Sequence, residues 1–185
     1  MFQSEWWGEQ VESDLSQGDI VANLPIFLLV SPLKYLRHTN LRGNTPGWMD
    51  SDSPVVDRDG RTRLHAIGKS LPGLVLSHSC ELDKRDRRKR RVIVAPIVPI
   101  GTVSDVALRD SILAQAQYAS MPLPDIPGLG TYYADLRSIV TLDRDIVDKG
   151  KRLASMTELA QKRLWAQLVA FFLRKEIGDS KSLEQ

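Results

Sequence analysis

Two stretches of this chain concentrate side chains able to do chemistry. The first is Ser77, His78, Ser79, Cys80 and Glu81, with Asp83 just beyond, directly after the apolar run Leu74, Val75, Leu76. A polar string leaving a buried strand is a frequent place for functional side chains, because the strand supplies a rigid base. His78 is a candidate proton-transfer group, since imidazole titrates near neutrality. Cys80 becomes a nucleophile when a base or neighbouring cations, here Lys84 and Arg85, favour its thiolate. In an extended segment residues two apart share a face, which sets His78 beside Cys80 and supplies no third group to orient them. A buried structural cysteine is the competing reading. His78, Cys80, Glu81 and Asp83 also offer metal ligands of mixed softness, but the cluster contains no HxxxH, CxxC or DxD spacing. Neither a metal nor a cofactor is expected.

The second stretch is Lys84, Arg85, Arg87, Arg88, Lys89, Arg90 and Arg91, seven cations in eight positions with Asp86 as the one acid. It carries +6 while the whole chain carries +2, so the remainder sums to −4 and the protein is dipolar rather than basic. Such a segment holds phosphates, releasing counterions as each is neutralised. Self-repulsion among the cations favours a polyanion, such as RNA, or an acidic protein surface as partner. A solvated hairpin tip is the alternative, and the acidic arm at 5–14 is an internal candidate for the acidic surface. A third group, Tyr132, Tyr133, Asp135 and Arg137, with Trp48 and His65 in a loop, could stack and hold unpaired bases. Tyrosines half-buried on a strand and an Asp135–Arg137 ion pair are the plainer readings. Candidate nucleic-acid contacts are therefore the seven cations with Tyr133 and Arg137. Trp165 and Met156 read as packing residues, and His38 and His65 as exposed loop residues.

The elements that must position these groups are mostly strands. Asp19–Asn23 and Pro25–Val30 read as two short strands, Leu74–Leu76 and Val92–Ile97 as buried ones, and Tyr132–Leu136 and Ile139–Leu142 as late additions to the sheet. Residues 37–70 shift to Asn, Gly, Asp, Ser and Arg and predict a long surface loop or insertion. Met121–Gly130 predicts a Pro/Gly loop. Helical spacing predicts a short helix over 104–119 and a long one over 155–177, the latter opened by a capping box of Ser155 and Glu158. The organisation expected is an N-terminal arm over 1–17, one domain over 18–177 with insertions at about 37–70 and 100–130, and a tail over 178–185.

Of the 185 residues 42% are apolar and 26% charged, the composition of an ordinary soluble globular protein. A single cysteine excludes an internal disulfide framework and suits a reducing cytoplasm. The longest apolar run, Leu24–Val30, falls far short of the roughly 18–20 residues of a membrane span, and the first residues lack the pattern of a signal peptide. A cytoplasmic protein without a membrane segment is expected.

Four patches, in order, resemble the MazF/PemK family of toxin-like proteins. Gly18, Asp19, Ile20, Val21 is similar to that family's opening strand, Pro72–Ser77 to its proline and apolar run, and Val94, Ala95, Pro96 to its next strand. Asp135, Leu136, Arg137, Ser138, Ile139 resembles the segment before its C-terminal helix. The resemblance implies a mainly β fold with helices: an SH3-like β-barrel with a long C-terminal helix, here with helical and loop insertions. It further implies a homodimer, a toxin–antitoxin or defence role with an antitoxin or other protein partner, and metal-independent endoribonuclease cleavage of single-stranded RNA. The arginine that the family carries before the strand proline is Leu71 here, and the threonine after the later proline is Val98. Cleavage would then fall to a rebuilt set of His78, Cys80, Glu81 and Arg85. In it His78 transfers the proton for attack by the ribose 2′-hydroxyl, and Arg85 or Arg87 holds the phosphate. A non-catalytic adaptor whose basic hairpin meets an acidic partner is the alternative from another class.

Overall fold

Short runs rich in Val, Ile and Leu, punctuated by Gly, Pro and Asp, build this chain mostly from strands. The structure is a computed structural model and describes residues 5–9, 11, 14–28, 33–36, 48–51, 64–65, 67–82 and 91–173. The chain divides into two compact units, Met1–Leu24 with Ser70–Gln185, and Pro25–Lys69. The smaller unit holds a three-stranded antiparallel sheet of β2 (Leu33–Leu36), β3 (Trp48–Ser51) and β4 (Leu64–His65), with β2 in the middle. Part of the stretch expected as loop is therefore laddered. The boundaries of the units fall inside β1 (Ile20–Leu28) and β5 (Ile67–Val75). The two strands expected before Val30 are one, β1, continuing through Pro25 with Asn23 at a positive φ of 59°.

The larger sheet runs in the order β10-β1-β5-β6-β8-β7, with β9 also paired to β6. Here β6 is Arg91–Pro99, β7 Ser120–Ile126, β8 Gly130–Asp135, β9 Val140–Asp143 and β10 Arg152–Ala154. Its described ladders, β1 with β10, β5 with β6, β6 with β8 and β9, and β7 with β8, are antiparallel. β6 alternates exposed and buried residues at its start and is then buried continuously over Val94–Ile97. That change follows its neighbours: Val94 faces both Val75 and Val140, and Ile97 onward pairs with β8. β8 and β9 are separated by a 3-10 turn at Leu136–Ser138, where the Asp135 carboxylate accepts from the Arg137 backbone N–H and the Ser138 hydroxyl.

Among the described residues no ladder joins β7 to β10, so the sheet is not closed into a barrel. Its proline positions give a physical reason. Pro122 and Pro124 lie two apart on β7 and have no N–H to offer, a pattern confined to edge strands. The Met121–Gly130 stretch, expected as loop, contains this edge strand because its alternate residues Met121 and Leu123 are buried.

The N-terminal arm fills the gap between the sheet's two ends. Trp7 bridges Met156 just past β10, while its indole N–H donates to the Pro124 carbonyl of β7 at 2.7 Å. Gly8 N–H donates to Ser155 O, and Thr157 N–H to Trp6 O. The Trp7 side chain belongs to the main core, where burying an indole contributes on the order of 3 kcal/mol. Gly18 sits against this seam at φ +90°; a Cβ there would come within 2.9 Å of Met156 Cβ, so a side chain is excluded on two counts.

The helices are α1 (Ser79–Leu82), α2 (Val106–Leu113), α3 (Arg144–Lys149) and α4 (Glu158–Leu173). No helix among the described residues is long and apolar enough to cross a membrane. α2 starts at its Asp105 cap but stops well before residue 119, since the chain bends into Gln115 at φ 56°. α4 is capped by Thr157, whose hydroxyl accepts from Ala160 N–H, and not by Ser155, whose side chain is buried. Glu158 pairs instead with Lys162 one turn on. Residues 174–177 of the expected helix and the 178–185 tail lie outside the described residues.

At about 100° per residue, the broad apolar stripe of α4 is wider than the sheet can cover. Ala160, Leu164 and Ala170 face inward, whereas Leu159, Val169, Phe172 and Leu173 are exposed. The fully buried Gln167 ties the helix to the loop after α2. Its amide N–H groups donate to the carbonyls of Gln117 and Tyr118, and its oxygen accepts from Gln115.

Candidate nucleic-acid interface

The exit of β5 is pinned by its partner strand. Leu76 N–H donates to Ile93 O, and the Ser77 hydroxyl accepts from Ile93 N–H at 2.8 Å, so Ser77 is a buried structural group. His78 follows and is exposed. The backbone then turns into α1, with Leu82 N–H donating to His78 O. Residues two apart share a face in a strand but not in a helix, so the expected pairing of His78 with Cys80 loses its basis. The side chains of Cys80 and Glu81 lie outside the described residues.

So do Asp83, Lys84, Arg85, Arg87, Arg88, Lys89 and Arg90, but both feet of this cationic segment are described. At one foot Leu82 is buried, and its carbonyl accepts from Arg144 Nη1 at 2.8 Å. At the other, Arg91 opens β6 opposite Asp143. Asp143 and Arg144 are consecutive, so the segment leaves and re-enters the fold at one place. Arg144 is itself braced by Asp148 at 2.7 Å. One helical turn, α1, precedes the basic run and β6 follows it; the expected hairpin tip itself lies outside the described residues.

Beside His78 stands an arrangement in which Trp165, expected to be a packing residue, takes a different part. Its ring stacks with the His78 imidazole at 6.0 Å between centroids and 27° between planes, and the residue is 45% exposed. The indole N–H donates to Gln17 Oε1 at 2.6 Å. Gln17 is buried; its amide N–H donates to Leu76 O at 2.7 Å, and its backbone carbonyl accepts from Gln161. One glutamine therefore fixes Trp165 of α4 to the end of β5. On the same helix Arg163 pairs with Glu5 at 3.2 Å and lies 5.2 Å from the Trp6 ring centroid, so part of the acidic arm is engaged on α4.

The third group lies elsewhere. Tyr133 pairs with Val98, five residues along β6 from Ile93, which is about 17 Å of strand away from the Ser77 contact. Adjacent strand residues point to opposite faces: Tyr132 packs on the core, and Tyr133 shares the other face with Asp135. Arg137 is ion-paired to Asp135 at 3.2 Å although its side chain is 69% exposed. Burial, and then the Asp135 charge, raise the Tyr133 phenol above the ordinary tyrosine range, with Arg137 opposing them.

Leu71 and Val98 each lie two residues beyond the Gly73–Pro96 pair that ends the β5–β6 ladder, toward the Tyr133 end. Asp19, part of the first resembling patch, is a structural carboxylate: fully buried, it accepts from Ser16 N–H and lies 3.9 Å from Arg152. Sequence reasoning missed Gln17, Arg144 and the exposure of Trp165. Only the last had a signal, in that Trp165 sits one position round from the Leu164 stripe. When the chain is compared with known proteins, no family model and no curated sequence matches it.

Proposed function

We propose that this protein binds single-stranded RNA through the 77–91 segment, in the manner of a MazF/PemK-like module. One observation carries it. The residues that bracket the basic run, Leu82 before it and Arg91 at its end, meet the consecutive residues Arg144 and Asp143, and exposed His78 stands one helical turn before Leu82. Seven cations within eight consecutive positions keep their charge together, which favours a ligand bearing closely spaced phosphates.

The test is a salt titration of the purified protein against labelled single-stranded RNA, single-stranded DNA and polyphosphate. Replacing Arg87, Arg88 and Arg90 by Ala lowers the slope of log affinity against log salt by about 2, from roughly 0.7 per phosphate on single strands. Equal affinity for RNA and polyphosphate, or an unchanged slope in the triple variant, contradicts the proposal.

Cleavage, which the resemblance implies, has its own assay. The ribose 2′-oxygen attacks the adjacent phosphorus and the 5′-oxygen leaves, giving a 2′,3′-cyclic phosphate and a 5′-hydroxyl, with His78 moving the proton. Those products, formed with chelator present and lost in His78→Ala, support it; cutting that survives the substitution removes His78 from the reaction. The apolar pair Leu71 and Val98, at the family's cleavage positions, favours a second reading as a non-catalytic adaptor. An adaptor binds an acidic polypeptide in preference to RNA in the same titration.

A further inference from the structure

We infer that Trp165 and His78 form a stacking platform for an unpaired base, the place where a strand held by the cationic loop lays down a nucleobase. The inference rests on the nucleic-acid reading above and assigns a ligand subsite to a residue of α4. Three features of the pair support it. Its rings are stacked with 27° between their planes, and both residues are exposed, a pairing of aromatic surfaces of the kind on which unpaired bases stack. It is also held in place before any ligand arrives, because the buried Gln17 accepts from the indole N–H and donates to Leu76 O. A side chain already fixed in its binding orientation loses little freedom on binding. Finally, Leu82 is one helical turn from His78 and the basic run begins two residues later in the sequence, at Lys84.

Val169, Phe172 and Leu173 on the same helix are exposed as well. Trp165 differs from these residues in its polar anchor and in its stacked imidazole, His78, which lies six residues before the basic run in the sequence. Those features select a base carried on a phosphodiester strand.

The experiment measures binding of the full chain to a short single-stranded RNA, the matching DNA, the same strand with abasic sites, and polyphosphate. The proteins compared are the wild type, Trp165→Leu, Trp165→Phe and the Arg87, Arg88, Arg90 triple alanine variant. Leucine keeps apolar volume and loses the π face, whereas phenylalanine keeps a π face. Trp165→Leu is expected to lose about 5- to 100-fold on base-bearing strands and nothing on abasic strands or polyphosphate, with Trp165→Phe recovering most of the loss. RNA and DNA losing equally assigns the base alone; a larger loss on RNA adds the ribose to the subsite.

Equal losses on abasic and base-bearing strands overturn the platform. So does RNA binding that survives Trp165→Leu but collapses in the triple variant, which leaves the loop as the whole site. A Trp165→Leu protein whose sedimentation shows lost self-association, with RNA affinity intact, assigns the residue to a copy interface instead. A wild type that binds none of the strands overturns both this inference and the function proposed above.

Discussion

The two ends of β6 carry similar residue types and use them differently. At the start, an indole and an imidazole stand exposed and stacked near the end of β5, and the polar groups near them hold the backbone and the indole in place. At the far end, Tyr133 and Arg137 also lie together, but Asp135 takes the guanidinium and burial covers part of the phenol. An aromatic residue near an arginine is thus not yet a nucleic-acid site. Among the described residues, what separates the two ends is that one carries a stacked aromatic pair and the other an aromatic beside an arginine already paired to Asp135.

The largest expected effect comes from removing charge from the basic run. The Arg87, Arg88, Arg90 alanine variant should erase the contrast between the ends, with RNA affinity falling by about 100-fold at moderate salt as its salt slope flattens. Trp165→Leu follows, as set out above. Loosening the platform without removing it should cost less. Gln17→Leu strands the Leu76 carbonyl and frees the indole, so thermal or denaturant unfolding should show a loss of about 2 kcal/mol, and titration a weakening of RNA binding by about threefold.

At the other end, Arg137→Ala should change RNA affinity by less than about twofold, because the ion pair already spends that charge on Asp135. Asp135→Asn keeps the turn's acceptor but releases Arg137, and should raise affinity by about twofold in the same titration. A large loss in Arg137→Ala would reverse the assignment of the two ends.

The smallest effect is a pH dependence. Tyr133 is held protonated in the folded state above the pH of about 10 at which an unfolded tyrosine ionises. The unfolded chain therefore loses its proton first, and stability falls as pH rises through that window. Tyr133→Phe should remove this part of the alkaline decline, read from unfolding curves on either side of pH 10, with little change near neutrality.

Much of the framework was legible because it depends on local pattern. The strands around Leu74–Leu76, Val92–Ile97 and Val140–Leu142 announce themselves by β-branched and apolar runs, and α4 by its periodicity. Where pattern misled, a tertiary partner decided. Pro122 and Pro124 read as loop, yet lie in an edge strand whose free side takes the Trp7 indole. Thr157 caps α4 because the adjoining chain is held against the N-terminal arm, which no local spacing encodes. The basic loop was visible as a charge run, but not its shared foot at Asp143 and Arg144, which depends on residues 62 positions apart. Gln17 was hidden for the same reason: its partners, Leu76 and Trp165, are brought to it only by the fold.

The central claim, that RNA meets the start of β6 and not its far end, is tested most directly by photo-crosslinking. A single-stranded RNA carrying a photoreactive base is irradiated with the full-length protein, and the attached peptides are mapped by mass spectrometry. Crosslinks within residues 77–91 and at Trp165, competed more strongly by unlabelled RNA than by polyphosphate, are the predicted result. Crosslinks concentrated on residues 130–137, or none that RNA competes away, would contradict it.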